Sequence, residues 1–144
     1  MRYRHVALYA DDLRRAEDFY AHVFAAEVLF REAMSSDGVW QTLPLHATWD
    51  DAERAGIDLQ LVVLRRDDIF LPVFLGESVP RIVGLEATVK EADEMRRRLP
   101  EEAQVLDESE RQLVFADPFA VEWQVGIGTG FRSSGEMHGR WLAV

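Results

Sequence analysis

His5 is the first residue of this chain with chemistry to offer. It lies in Arg4-His5-Val6-Ala7-Leu8-Tyr9-Ala10, where Val6 and Leu8 alternate with His5, Ala7 and Tyr9, the period-2 pattern of a strand with two unlike faces. An imidazole with an intrinsic pKa of about 6.5 serves as a base or as a hydrogen-bond donor near neutral pH. Carboxylates recur in similar settings. Asp58 shares strand parity with Gln60, Glu86 with Gly84, and Glu122 with Gln124, while Leu59 and Leu61, Leu85 and Ala87, Trp123 and Val125 fill the opposite faces. These strands are expected to turn polar groups to one side and to pack the other under helices.

Several other chemistries find no support. The chain has no cysteine, which excludes disulfides, thiolate metal sites and cysteine nucleophiles. With 26 acidic against 16 basic residues its formal net charge is -10, so neither nucleic acid nor a membrane is an expected partner. Gly126-Ile127-Gly128-Thr129-Gly130 follows a strand but opens no helix, and no serine sits at a nucleophile elbow. Glu91, Asp93 and Glu94 read as a solvated helix start. His22, His46 and His138 follow no pattern and are expected at the surface. No apolar run approaches the length of a membrane span, and a cytoplasmic protein is expected.

The elements that must position these groups come in two similar sets. The first strand runs into a helix in which Leu13, Ala16, Tyr20, Val23 and Phe24 recur at helical spacing behind the N-cap candidates Asp11 and Asp12. Strands are predicted at 27–32, 39–43 and 57–64, giving βαβββ for residues 3–64. Residues 65–81 join the halves as a segment packed on the sheet or as a flap over a site. The second half repeats the order: a strand at 82–88, a helix at 90–99 stopped by Pro100, and strands at 103–106, 112–115 and 120–125. Aligning the strand-to-helix junctions sets His5 opposite Gly84, an offset of 79 residues. Residues 128–144, rich in glycine and serine, read as a flexible tail. Trp40 and Phe30 are expected either to wall a pocket or to fill the core, and Trp123 to pack under a helix.

Two stretches carry a resemblance. His5-Val6-Ala7-Leu8-Tyr9-Ala10-Asp11-Asp12-Leu13 with Ala16-Glu17-Asp18-Phe19-Tyr20, and Phe115-Ala116-Asp117-Pro118-Phe119-Ala120-Val121-Glu122-Trp123-Gln124-Val125, resemble the vicinal oxygen chelate superfamily. That superfamily holds glyoxalase I, extradiol dioxygenases, fosfomycin-modifying enzymes and bleomycin-resistance proteins. The second stretch is similar to its Asp-Pro-x-Gly-Asn-x-x-Glu signature, with Ala120 and Val121 where glycine and asparagine stand.

The resemblance implies an α+β fold, tandem βαβββ modules forming a curved mixed sheet around an open cleft, within a single domain spanning 1–144. It also implies a homodimer and a small organic ligand. Its four metal positions fall on His5, Gln60, Gly84 and Gln124, of which only His5 is an ordinary ligand. The expectation is therefore a metal-free, cofactor-free binding protein. His5, Trp40, Gln60, Glu86, Glu122 and Gln124 would line its site, and His5 or Glu86 would be available as a catalytic base. The alternative is a metal-dependent lyase or dioxygenase that uses a divalent metal ion on a displaced set, His5, Asp58, Glu86 and Glu122.

Overall fold

A computed structural model describes residues 5–128 of the chain. The tail expected beyond Gly128, and His138 with it, lies outside the described residues. In chain order the elements are β1 (Leu8–Ala10), α1 (Leu13–Phe24), β2 (Glu27–Met34), β3 (Trp40–Thr42), α2 (Trp49–Arg54), β4 (Leu61–Arg66), β5 (Ile69–Leu75), β6 (Arg81–Ala87), α3 (Val89–Arg98), β7 (Gln104–Ser109), β8 (Gln112–Ala116) and β9 (Val121–Ile127). They form two mixed sheets, in the order β1-β5-β4-β2-β3 and β6-β9-β8-β7, flanking an open cleft. The α+β class and the tandem modules follow the expectation. The single curved sheet is resolved into two separately hydrogen-bonded ones.

Local chemistry explains the helices. Asp12 caps α1 by accepting from the Arg15 N–H at 3.0 Å. Thr48 and Asp51 form a reciprocal capping box on α2, as Thr88 and Glu91 do on α3. Backbone hydrogen bonding to Thr88 is the main cause holding the Glu91 carboxyl below the usual range. Arg96, Arg97 and Arg98 close α3 at the negative end of its dipole.

The first half departs from the expected strands in two places. The strand expected at 57–64 begins only at Leu61 and runs on to Arg66, leaving Asp58 and Gln60 in the preceding loop. The joining segment then carries β5, which is hydrogen-bonded between β4 and β1 and runs parallel to β1. Leu61, Val62, Val63 and Leu64 are all buried, so β4 is a central strand covered on both faces and shows no alternation. Pro72 disguised β5, because a proline inside an apolar run argues against a central strand. The ladder accommodates it. Leu75 N–H donates to Gln60 C=O at 2.8 Å, on the far side of β5 from β1. By alternation the nitrogen of residue 72 faces β1. That nitrogen has no hydrogen, and β1 pairs continuously only from Leu8↔Val73, with His5↔Phe70 left as an isolated bridge. β3 and residues 43–60, including α2, are an insertion between β2 and β4 that the second half lacks.

The repeat is also set differently from the junction alignment. Gly76 N–H donates to Ala10 C=O at 2.9 Å, and Gly128 N–H donates to Ala87 C=O at 3.0 Å. These two bonds close the same corner of each half, so Ala10 corresponds to Ala87 and His5 to Ile82, not to Gly84.

One apolar core joins the halves. Leu8, Val62, Leu64 and Val73 of the first sheet meet Phe115, Trp123 and Val125 of the second around the inner face of α1. Trp123 is fully buried, as expected, with its ring centroid 4.6 Å from Phe24 and 5.8 Å from Tyr20. Asp117, in the turn before β9, is the polar centre of this region. Its carboxylate accepts from Tyr20 Oη at 2.7 Å, Trp123 Nε1 at 2.8 Å, Phe119 N at 2.8 Å and Val121 N at 3.0 Å. Ala120, where the resemblance places glycine, takes φ 63°, the left-handed conformation that glycine favours. No helix among the described residues is long and apolar enough to cross a membrane.

Candidate functional site

The faces turned away from α1 and α3 carry the candidate residues. On the second sheet the register Ile82↔Glu122 and Gly84↔Gln124 sets these four residues side by side, with Glu86 next along β6. Their partners in parity, Val83, Ala87, Trp123 and Val125, are buried beneath the helices. The alternation expected for β6 and β9 is therefore what the structure holds. Gln124 Nε2 donates to Glu122 Oε1 at 2.8 Å, so the amide that takes the signature's carboxylate position leans on the neighbouring carboxylate.

A groove of about 650 Å³ runs between β6 and the start of β5. Val6, Phe70, Ile82 and Leu85 supply its apolar lining, and Asp68 and Glu86 its carboxylates. Gly84 also lines it, and a Cβ added at Gly84 would meet no atom within 4 Å. A strand glycine with ordinary φ and empty space above it leaves the backbone open to close approach. His5, exposed, bridges to Phe70 beside this groove.

An aromatic row lies on the first sheet. Tyr9 stacks on Phe74 at 5.7 Å between centroids, and Trp40 meets the same ring edge-on at 6.3 Å. The Arg81 guanidinium lies 5.8 Å from the Tyr9 centroid, and its Nε is buried with no hydrogen-bond partner among the described residues. Trp40 thus belongs to an aromatic wall on the edge strand β3 and is 39% exposed. Asp58 and Gln60 line a separate cavity of about 380 Å³, with Met34, Thr42 and Ile57.

The expected site residues therefore fall into four places, with His5 by itself against Phe70. Gly84, Glu86, Glu122 and Gln124 come together on the second sheet, Trp40 joins Tyr9 and Phe74, and Asp58 and Gln60 sit apart in their loop. Among the described residues no group of three or more His, Asp or Glu side chains is arranged to hold a metal ion. The displaced set His5, Asp58, Glu86 and Glu122 is not assembled within one chain. Asp68, Phe70, Phe74 and Arg81 were missed because 65–81 was read as a connection. The unbroken apolar run from Ile69 to Leu75, of strand length, was the available signal.

A second polar cluster supports the insertion. Arg31, on the helix-facing side of β2, makes a two-pronged ion pair to Glu17 of α1 at 2.6 and 2.7 Å and donates to Ala47 C=O at 3.2 Å. Its guanidinium lies 5.7 Å from the Trp49 ring centroid, which fixes the start of α2.

No protein-family model matches the sequence, and no curated protein does. Solved structures do match. A fosfomycin resistance protein, FosX, from Listeria monocytogenes aligns with a TM-score of 0.64 at 16% identity, over 90% of this chain and 92% of that one. FosX from Mesorhizobium loti gives 0.62 at 16% identity, over 90% and 93%. A lactoylglutathione lyase from Agrobacterium tumefaciens gives 0.54 at 23% identity, over 91% and 98%. At these identities the likeness is one of fold. Together with the paired modules, it gives this chain the fold of the vicinal oxygen chelate superfamily.

Proposed function

We propose that the protein binds a small organic molecule in the cleft formed by the open faces of its sheets. The observation that carries this reading is the groove between β5 and β6. Its volume lies within the roughly 300–1,000 Å³ of small-molecule sites, and it combines apolar walls with a few polar groups and an open glycine. Exposed Met34, Val39, Trp40, Ile69, Leu75 and Ile82 leave apolar surface that a second copy of the chain would cover, which supports a homodimer. His5 and Glu86 are the groups available for proton transfer beside a bound ligand.

A second reading is a divalent-metal enzyme of the lyase or dioxygenase kind. The comparisons favour it, since FosX from Listeria monocytogenes has been crystallised with Mn(II). The donor chemistry of this chain does not fit it: the positions implied by the resemblance hold one imidazole, two amides and a glycine, and the displaced carboxylates are dispersed.

Elemental analysis of protein purified without chelator decides between them, together with thermal-shift titrations against manganese, nickel, zinc and iron(II). The proposed reading expects no stoichiometric metal and no shift that depends on His5. Bound metal that disappears in His5→Ala would replace it with the second. Sedimentation showing only monomer would remove the homodimer.

A further inference from the structure

We infer that the ligand of the β5–β6 groove is an organic cation: an ammonium group on an apolar body of about the size of a phenylalkyl chain. This deepens the binding reading proposed above and rests on it.

Charge points to the occupant. Asp68, in the turn between β4 and β5, and Glu86, on β6, both line the groove from different elements. Among the described residues neither carboxylate has an ion-pair or hydrogen-bond partner, whereas Glu17, Glu27, Glu91 and Glu108 are each paired with an arginine. No Lys, Arg or His among the described residues lines the groove. Arg66, the nearest cation in sequence to Asp68, is directed to Glu91 at 3.2 Å, Phe24 C=O at 2.6 Å and Asp67 at 3.7 Å. Both carboxylates are exposed, so a neutral ligand leaves them to water. An anion in this space would meet two negative charges, whereas a cation would meet a counter-charge from either side.

Shape points to the rest of the molecule. Ile82 and Phe70 flank the groove with apolar surface, and Val6 and Leu85, partly buried against the core, border it, so the body of the ligand must be apolar. Phe70, half-buried, adds a ring face that attracts an ammonium group. Gly84 leaves the depth for a flat or branched group to lie on the backbone. The chain's net charge of -10 draws cations toward it from a distance.

The test uses three probes of one size, phenethylammonium, 2-phenylethanol and 3-phenylpropanoate, titrated into ¹⁵N-labelled full-length protein. The ammonium probe should move the amide signals of Phe70, Gly84, Leu85 and Glu86 and bind at least about fivefold more tightly than the other two. Added salt should narrow that difference. Glu86→Gln and Asp68→Asn should each bring the ammonium probe toward the alcohol's affinity. Gly84→Leu, whose Cβ meets no atom within 4 Å, should block all binding in a protein with an unchanged circular dichroism spectrum. Equal binding of the three probes in the groove, or tighter binding of the carboxylate, would overturn the cation inference and leave the small-molecule reading standing. If none of the probes moved the groove signals, both would fall.

Discussion

Tyr20 and Asp117 are 97 positions apart in the chain, yet the Tyr20 hydroxyl donates to Asp117 Oδ2 at 2.7 Å in the buried centre of the molecule. The bond ties the helix of the first half to the turn that launches the last strand of the second. Tyr20→Phe leaves one carboxylate oxygen short of a donor and should destabilise the protein by about 1–3 kcal/mol. Urea unfolding followed by far-ultraviolet circular dichroism measures this.

The same pair predicts an alkaline limit. Burial, and then the Asp117 charge, push the Tyr20 phenol far above its ordinary range. In the unfolded chain that phenol ionises near pH 10 while the folded one stays protonated. The unfolded state then binds fewer protons, so the contribution is complete below about pH 10 and stability falls as pH rises beyond it. Unfolding free energies measured from pH 8 to 11 should fall less steeply above pH 10 in Tyr20→Phe than in the parent.

Acid acts through the capping boxes. Glu91 is held below the usual carboxylate range in the folded protein, so its contribution is present above its unfolded pKa of about 4.3 and is lost as pH falls through the lower folded value. Thr88→Ala removes the reciprocal cap and should cost about 1 kcal/mol at pH 7, with a smaller difference from the parent at pH 3. Thermal unfolding at the two pH values makes the comparison.

Breaking the Arg31–Glu17 pair should loosen the insertion as well as the core. The two side chains are 17% and 8% exposed, so Glu17→Ala strands a largely buried guanidinium at a cost of about 3 kcal/mol. Because Arg31 also holds Trp49 and the Ala47 carbonyl, tryptophan emission should shift to the red. That shift should be absent when the same change is made in Trp49→Phe.

Gly84 sets stability against binding. Gly84→Ala places a methyl where nothing lies within 4 Å and removes the entropic cost of glycine in a strand, so it should stabilise by about 0.5–1 kcal/mol. It should also narrow the groove and weaken ligand binding. A rise in melting temperature with no loss of probe binding would show that the ligand does not approach this stretch of backbone.

The second half was legible in the sequence because its strands alternate cleanly: Leu85 and Ala87 against Glu86, Trp123 and Val125 against Gln124. Two of the helices were legible through Asp12 at the start of α1 and Pro100 after α3, while Thr88, which caps α3, falls within the strand predicted at 82–88. The first half misled where alternation vanishes. Four consecutive apolar residues in β4 carry no facing information, and Pro72 made a central strand resemble a connection. Once β5 was read as a joining segment, Phe70 could not be seen as the neighbour of His5, and Gln60 was assigned a strand position it does not hold. The site was legible as a list of polar residues on the second sheet. Which of them share a groove depends on how the edges of the two sheets meet, and no local pattern encodes that.

The Asp117 centre also bears on the independence of the two halves. Its donors come from both copies, with Tyr20 from one and Trp123 and two backbone amides from the other. A chain severed between Gly76 and Arg81 would expose the Tyr20 and Phe24 rings that pack on Trp123, and would leave the Asp117 carboxylate with three of its four donors. The shared centre makes each half the other's missing wall, and two such fragments would restore it only by finding each other.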